Sequence, residues 1–453
     1  MDYKTFLKDK TQLAGQYGFD PLYMPDQAFD FQKHLITWAV KKGRAALFAD
    51  CGMGKTLMQL AWAENVCRKT GGKVLILTPL AVGHQTEHEA KKFGINAKRS
   101  GDGSLMADIV ITNYERLHLF NTQDFVGVVC DESSILKNFD GKIKAAITEF
   151  MRTQKYRLLC TATAAPNDFI ELGTSAEALG EIGFMDMLGR FFKKADATYC
   201  RKQETQAGTY YLKPHATKDF WRWVASWARA VRKPSDLGFS DRKFVLPELI
   251  LKQHLVTATK KNPDFLFDMP AVGLAEQRAE RSRTVADRCK QAADIANGTD
   301  QPVICWCHLN SESEALKKLI PGSVEVSGKD SDETKEQKFR AFETGKARVI
   351  VTKPSIAGFG LNWQHCAIQT FFPSHSFEQY YQAVRRSWRF GQKQSVQVHI
   401  ITTEGEQRVL NNLKRKAEAA DKMFADIVQH MSNELQIKNK EQYKTKTEIP
   451  EWL

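Results

Sequence analysis

One segment of the chain, residues 49–56, constrains the fold more than any other. It reads Ala-Asp-Cys-Gly-Met-Gly-Lys-Thr and follows an apolar run at 45–49. Glycines at this spacing let backbone N–H groups turn toward phosphate oxygens, and a helix that opens after the lysine adds the positive end of its dipole. A loop of this kind lies at the carboxyl end of a strand, where open α/β sheets bind ligands. The sequence therefore predicts an α/β fold with a phosphate-binding loop.

An acidic pair further along the chain supplies the partner that such a loop needs. Asp131 and Glu132 directly follow the apolar run 126–130. We expect Lys55 to reach the β and γ phosphates of a nucleotide. Thr56 and Asp131 would ligate Mg²⁺, and Glu132 would orient the attacking water. The nucleotide contacts predicted within the loop are Gly52, Met53, Gly54, Lys55 and Thr56. The chain is therefore predicted to hydrolyse a nucleoside triphosphate.

Composition favours a folded, multidomain protein with a polyanionic partner. The 453 residues are too many for one ordinary core, and 42% hydrophobic with 26% charged residues is typical of a folded chain. A net charge of +12 favours a polyanionic partner, although a merely basic surface remains the alternative.

Cysteine usage and the absence of apolar segments indicate a cytoplasmic protein. The nine cysteines are scattered without paired spacing, which indicates reduced thiols. Cys305-Trp306-Cys307-His308 lacks a second ligand pair, so we expect strand cysteines there rather than a metal site. We expect no secretory signal at the N-terminus and no membrane span, because no run of eighteen apolar residues occurs.

Apolar runs alternate with helical stretches in two separate parts of the chain. Near-continuous apolar strands between helices indicate parallel sheets that are covered on both faces. The predicted strands are 45–49, 74–77, 109–111, 126–130 and 157–160, then 302–306, 324–326, 348–351, 367–372 and 396–401. The predicted divisions are a first lobe at 1–175, a helical basic and aromatic insertion at 176–250, a linker at 251–275, a second lobe at 276–410, and a C-terminal helix and tail at 411–453.

The segment 182–245 mixes basic and aromatic residues. It holds thirteen Lys or Arg against six acidic residues. Such a mixture can follow a nucleic-acid backbone and offer stacking surfaces. The alternative is a helical brace, since Trp221, Val224, Trp227 and Ala228 have a spacing that packs inward. We expect the tryptophans to lie in the core and the basic side chains to make the contacts.

The segment 382–392, which reads Gln-Ala-Val-Arg-Arg-Ser-Trp-Arg-Phe-Gly-Gln, closes the second lobe. Arg386 and Arg389 are three residues apart, so both can lie on one helical face and point at the same target. An arginine that reaches the γ-phosphate across a cleft accelerates hydrolysis by roughly a thousandfold or more. Alone, such arginines are usually solvated, and only the phosphate loop in the first lobe favours the catalytic interpretation.

These motifs, in this order over about residues 28–405, resemble those of superfamily 2 helicase-type ATPases, closest to the Swi2/Snf2 branch and its compact bacterial and bacteriophage forms. Phe31-Gln32-Lys33-His34 resembles the adenine-reading motif, with Gln32 as the base contact. Gly358-Phe359-Gly360-Leu361-Asn362 resembles a nucleotide-contacting motif of the second lobe, with Gly358 and Gly360 as contacts. The resemblance implies that nucleic acid is contacted at Thr78, Pro79, Thr112, Asn113 and Lys233, and that Lys55, Asp131, Glu132, Arg386 and Arg389 are catalytic.

Some positions depart from the family pattern. Ser134 stands where the family usually has His or Gln to link the lobes, and Trp388 stands in place of a His. Thr161-Ala162-Thr163 is nearer the Ser-Ala-Thr of unwinding helicases than the Thr-Gly-Thr of remodellers, and Ser355-Ile356-Ala357 departs from Lys-Ala-Gly. These departures leave the choice between unwinding and pure translocation open.

The resemblance implies two RecA-like lobes with parallel sheets, ATP and Mg²⁺ in the cleft between them, and movement along duplex or forked DNA through backbone contacts. An RNA helicase with the same lobes is one alternative. An ATP-gated nucleic-acid clamp is another, and a third is a motor subunit for a separate nuclease or a replication or recombination partner. We expect a location in bacterial or phage-infected host cytoplasm, with no membrane partner.

Overall fold

The computed structural model describes residues 17–137, 141–165, 167–195, 210–259, 274–357 and 361–436. Within these residues, two parallel sheets with helices on both faces form two lobes, and a short antiparallel ribbon precedes the last strand of the first lobe in the sequence. The predicted α/β architecture with two RecA-like lobes is confirmed. Gly358 and Gly360, predicted as nucleotide contacts, lie outside the described residues.

The first sheet has seven parallel strands in the order β3-β4-β2-β5-β6-β1-β9. Their apolar side chains are buried on both faces, as expected for a sheet covered by helices. The strands are β1 (Arg44–Ala49), β2 (Lys73–Thr78), β3 (Ala97–Arg99), β4 (Ile109–Asn113), β5 (Phe125–Asp131), β6 (Tyr156–Thr161) and β9 (Ala228–Val231). The helices of this lobe are α1 (Asp30–Lys42), α2 (Lys55–Thr70), α3 (Gly83–Lys92), α4 (Lys142–Thr153), α5 (Glu171–Leu179), α6 (Phe184–Phe191) and α7 (Thr217–Trp227).

Strand register places three predicted motifs at the carboxyl ends of neighbouring strands in this sheet. β1, β6 and β5 are neighbours, with Phe48 opposite Thr161 and Asp131 opposite Cys160. Because the strands are parallel, their carboxyl ends meet at the same edge. The phosphate loop, the acidic pair and Thr161 therefore lie side by side.

The predicted insertion packs onto the first lobe, and its boundaries shift. β9 was predicted as part of a helical segment, but it pairs with β1 as the seventh strand of the first sheet. Trp221, Val224 and Trp227 of α7 are buried, as the inward spacing indicated. Arg229 is buried and donates to backbone carbonyls at the end of α7, so this basic residue is not exposed for nucleic-acid contact. The antiparallel ribbon consists of β7 (Phe192–Lys194) and β8 (Tyr210–Leu212).

The second sheet has six parallel strands in the order β10-β15-β14-β11-β13-β12. β10 (Leu249–Leu255) crosses the predicted boundary between insertion and linker and joins this sheet beside β15. The other strands are β11 (Val303–Trp306), β12 (Val324–Glu325), β13 (Val349–Thr352), β14 (Ile368–Phe371) and β15 (Val396–Thr402). The helices are α8 (Leu274–Arg283), α9 (Val285–Asn297), α10 (Asn310–Leu319), α11 (Asp332–Glu343), α12 (Pro354–Ala357) and α13 (Phe377–Val384).

The last helix, α14 (Gln407–Gln436), touches both lobes. Leu410 near its start belongs to the core of the second lobe. Met423, Phe424 and Ile427 belong to the core of the first lobe, against α7 and β9. The helix therefore forms a second connection between the lobes. Among the described residues, no helix combines the length and the apolar character needed to cross a membrane.

Candidate nucleotide and nucleic-acid site

The phosphate loop joins the end of β1 to the start of α2. Gly52 and Gly54 have φ values of 89° and 82°, the left-handed region that favours glycine. A Cβ at Gly52 would lie 2.8 Å from the backbone N of Phe390, and one at Gly54 would overlap the side chain of Gln32. The loop is thus a cradle that only glycine permits, with contacts from both lobes.

Lys55 and Gln32 hold this loop from two sides. Lys55 Nζ donates to the carbonyl of Ala49 at 2.9 Å. Burial works against its charge, but Cys51 and the carboxylates of Glu132 and Asp131 outweigh burial and raise the pKa of Lys55. Gln32 Nε2 donates to Met53 O at 2.9 Å, and its Oε1 accepts from the N–H of Phe29 at 3.0 Å. Gln32 therefore braces the loop, and its contact with a base stays a prediction.

The acidic pair is buried at the end of β5. Asp131 Oδ1 accepts from Gln59 Nε2 at 2.5 Å. Glu132 Oε2 accepts from Thr161 Oγ1 at 3.2 Å and, across the cleft, from Gln382 Nε2 at 3.4 Å. Glu132 is the one non-glycine residue with positive φ, 49°, in the described part of the chain. Backbone strain of this kind persists at functional sites, where the surrounding structure holds it.

The charges around the acidic pair favour an incoming cation. Burial and the charge of Asp131, opposed by Lys55, together raise the pKa of Glu132 to about 7. Burial also raises the pKa of Asp131, against the hydrogen bond from Gln59 and the charge of Lys55. Two carboxylates are thus held close together with little exposure to water, which is costly without a positive partner.

The donor set at this edge fits Mg²⁺. Thr56 and Gln59 lie three residues apart on α2, so their side chains share one helical face. Since the amide of Gln59 reaches Asp131, Thr56 lies on the face of α2 that is turned toward that carboxylate. Hydroxyl and carboxylate oxygens are hard ligands of the type Mg²⁺ uses beside phosphates.

One face of α13, from the second lobe, contacts the first lobe at several points. Glu378 pairs with Lys137 and accepts from Thr163 Oγ1 at 3.5 Å. Gln382 reaches Glu132, as described above. Tyr381, and Arg385 just after the helix, both bind Asp50 in the phosphate loop. Ser134, by contrast, bonds within its own lobe, to Glu132 O at 3.5 Å.

Arg386 and Arg389 lie beside the phosphate loop. Both guanidinium groups donate to Leu361 O, at 3.1 Å and 3.2 Å, and Arg386 Nη2 lies 3.9 Å from Cys51 Sγ. Burial, together with the charge of Arg386, lowers the pKa of Arg389 to about 10. Within the described residues neither arginine forms a salt bridge. A phosphate between these two groups would relieve their mutual repulsion.

The predicted nucleic-acid residues fall into two places. Thr78 is the last residue of β2 and Thr112 is the next-to-last residue of the neighbouring strand β4. Both are buried, and Thr78 Oγ1 donates to Thr112 O at 3.4 Å. Pro79 follows β2 and Asn113 ends β4, and both are partly exposed. Lys233 is exposed but follows β9, four strand spacings from β2, or roughly 19 Å. The structure therefore brings four of the five residues together.

A cleft of about 1120 Å³ runs between the lobes from this cluster. The first lobe contributes residues that include Pro79, Tyr114, Arg116 and Glu132, and the second lobe contributes α11 and neighbouring loops. Acidic and basic side chains both line it, so its field is not uniformly positive.

Several site residues escaped the sequence analysis: Asp50, Gln59, Lys137, Glu378, Tyr381 and Arg385. Gln59 could have been found, because it lies one turn after Lys55 on the helix that the loop opens. The interlobe partners carried no signal, because the two members of each pair are distant in sequence.

Comparison with known proteins finds a family match within the first lobe. Residues 29–171 match the family model for DEAD/DEAH box helicases. No curated protein sequence matches the chain. Among solved structures, the Sulfolobus solfataricus SWI2/SNF2 ATPase core in complex with dsDNA is similar, with 17% identity, a TM-score of 0.43, and coverage of 93% of this chain and 97% of that chain. The first lobe thus has the sequence character of a DEAD/DEAH helicase domain.

Proposed function

We propose that the protein is a nucleic-acid-dependent ATPase that moves along or unwinds DNA. The main support for this proposal is the position of Glu132 beside the phosphate loop. Its carboxylate accepts hydrogen bonds from Thr161 of its own lobe and from Gln382 of the other lobe. A site built from both lobes can couple hydrolysis to opening and closing of the cleft. The helicase-family match of residues 29–171 supports this class.

The side chains around the loop divide the work of hydrolysis. Lys55 exchanges the carbonyl of Ala49 for phosphate oxygens, and the N–H groups of the loop bind the remaining oxygens. Thr56 and Asp131 would hold Mg²⁺, which supplies charge neutralisation at the phosphates when bound. Glu132, held by Thr161 and Gln382, orients the attacking water.

Arg386 and Arg389 stabilise the charge that develops on the transferred phosphoryl group. Both leave the carbonyl of Leu361 for the phosphate when the nucleotide occupies the loop. Removing such an arginine costs on the order of a thousandfold in rate.

We propose DNA as the track, with RNA as the alternative. The net charge of +12 supports a polyanionic partner, as do the exposed Lys193 and Lys194 of β7 and Lys218 and Arg222 of α7. The terminal Arg-x-Gly-Gln at 389–392 favours the Snf2-like branch. The partly exposed Pro79 and Asn113 supply contacts to the backbone of one strand, and Lys233 supplies a separate one. Binding should weaken steeply with salt and depend little on sequence.

The test is steady-state ATP hydrolysis with no nucleic acid, duplex DNA, forked DNA, single-stranded DNA and RNA. We expect strong stimulation by duplex or forked DNA, none in Lys55→Ala, and loss of turnover with retained ATP binding in Glu132→Gln. Stimulation by RNA alone would move the assignment to an RNA helicase. ATP-dependent binding without any strand or triplex displacement would indicate a clamp, or a motor that needs a separate nuclease or replication partner.

A further inference from the structure

Asp50, inside the phosphate loop, has no role in the chemistry described above, yet its carboxylate is buried and fully engaged. Oδ1 accepts from the N–H of Cys51 at 2.6 Å and from the hydroxyl of Tyr381. Oδ2 accepts from Arg385 Nη2 at 2.5 Å. The side chains of Arg385 and Asp50 are only 9% and 3% exposed, so this ion pair lies away from solvent.

Arg385 is held as firmly as its partner. Its guanidinium lies 4.3 Å from the ring centre of Trp388 and 5.2 Å from that of Tyr381. It also donates to the Tyr381 hydroxyl at 3.3 Å. Burial disfavours its charge, but Asp50 and Tyr381 outweigh burial and raise its pKa. The charged form of Arg385 is therefore secured by groups from both lobes.

The contacts align consecutive residues of the two lobes. Asp50 binds Arg385, and the next residue of the loop, Cys51, lies against the next arginine, Arg386. A movement of Arg385 relative to the loop would therefore carry Arg386 with it. Since Arg389 shares the Leu361 carbonyl with Arg386, it would move as well.

The ion pair between Asp50 and Arg385 also affects how the loop can bind phosphate. A carboxylate in a loop that binds phosphates would repel them if it stood alone, whereas Arg385 neutralises it. Because both partners are protein side chains, the contact does not depend on nucleotide. It can set the spacing of the lobes before ATP arrives.

We propose that Asp50, Tyr381 and Arg385 form an interlobe lock that positions Arg386 and Arg389 over the phosphate loop. The expected change in kcat rests on the proposed ATPase function. The expected change in the spacing of the lobes does not depend on that function. Arg385 and Tyr381 are positioning residues, since neither needs to touch the nucleotide.

The kinetic test uses Asp50→Asn, Arg385→Lys, Tyr381→Phe and the double variant Asp50→Asn/Arg385→Lys. We expect kcat to fall about 10- to 100-fold in the two charge-pair variants, because a misplacement of about 1 Å costs on that order. KM for ATP should change less than about threefold, since Lys55 and the loop N–H groups remain. The double variant should be no slower than the slower single variant, because both remove the same contact.

Asp421→Asn serves as the matched control. It removes the ion pair of Asp421 with Arg232, which joins α14 to the first lobe at 2.7 Å without touching the loop. Tyr381→Phe removes only a hydroxyl, so it keeps the proposal testable if a charge variant folds poorly. Its kcat should fall about three- to tenfold.

The structural test is small-angle X-ray scattering of the same full-length variants without nucleotide. We expect a larger radius of gyration for Asp50→Asn and Arg385→Lys than for the wild type and Asp421→Asn. Charge-pair variants with wild-type kcat and radius would overturn the lock, and so would additive losses in the double variant. If the wild type itself hydrolyses no ATP with any nucleic acid, the proposed function fails. The radius of gyration of the variants still tests whether the interlobe lock exists.

Discussion

Replacing Gln59 with leucine tests whether the acidic pair is a metal site held by α2. Gln59 is 1% exposed and donates to Asp131 Oδ1 at 2.5 Å. Leucine has a similar volume, so Gln59→Leu removes the hydrogen bond without opening a large cavity. The carboxylate of Asp131 would then lose its orienting donor while it stays buried.

The expected loss follows from the strength of that contact. A hydrogen bond to a charged group contributes about 1.5–3 kcal/mol, and partners that orient a metal ligand typically change metal affinity about 10- to 100-fold. Removing the donor also lets burial raise the pKa of Asp131 further, which disfavours the ionised ligand. Both effects weaken Mg²⁺ binding.

The assay is DNA-stimulated ATP hydrolysis as a function of Mg²⁺ concentration. We expect the half-maximal Mg²⁺ concentration to rise about 10- to 100-fold in Gln59→Leu, with kcat at saturating Mg²⁺ within about threefold of the wild type. Gln154→Leu is the control, because Gln154 is also buried and donates a hydrogen bond, to Thr122 O at 2.8 Å. It precedes the amino end of β6, whereas the acidic pair lies at the carboxyl end of β5. An unchanged Mg²⁺ dependence in Gln59→Leu would refute the assignment of Asp131 as the metal ligand.

Three further predictions concern other parts of the molecule. Arg389→Ala should lower kcat by roughly a thousandfold with ATP binding retained, as single-turnover kinetics and equilibrium binding would show; a loss below tenfold would contradict a phosphate contact. Trp227→Ala, at a fully buried position of the first lobe, should destabilise that lobe by about 3–5 kcal/mol in denaturant unfolding, and a loss under 1 kcal/mol would argue against its place in the core. Burial lowers the pKa of His308 to about 4 from 6.5, so the native state resists protonation and its stability contribution is lost as pH falls below about 6.5. Between pH 7 and 5 this loss is roughly 2 kcal/mol, and His308→Leu should show a correspondingly flatter dependence of unfolding free energy on pH.

The strands that could be predicted from the sequence are those buried on both faces of a sheet. β1, β2 and β5 are buried on both faces, so each reads as a continuous apolar run that no turn or loop would carry. The phosphate loop was equally clear, because its glycines meet a backbone requirement that other residues cannot satisfy.

The strands that were missed lie at sheet edges or carry mixed residues. β10 is the edge strand of the second sheet, and Lys252, Gln253 and His254 in its middle are exposed or half-exposed, so no apolar run marks it. β9 contains Arg229, whose charge is buried only because carbonyls at the end of α7 accept its hydrogen bonds. Local sequence does not encode such tertiary compensation.

The interlobe contacts were beyond prediction for a different reason. Arg385 and Asp50 are 335 residues apart, and nothing in either segment indicates its partner. Spacing within the arginine segment singled out Arg386 and Arg389, whose catalytic role stays a prediction. It could not show that the neighbouring Arg385 pairs with Asp50 in the phosphate loop, because that depends on how the two lobes meet.

The most direct test of the proposed function is steady-state ATP hydrolysis by the full chain, measured with and without duplex or forked DNA, with Lys55→Ala as the blank. We expect hydrolysis that depends on Mg²⁺, is strongly stimulated by DNA, declines with rising salt and is absent in Lys55→Ala. Hydrolysis that is equal with and without every nucleic acid tested, or that survives in Lys55→Ala, would contradict the proposed function.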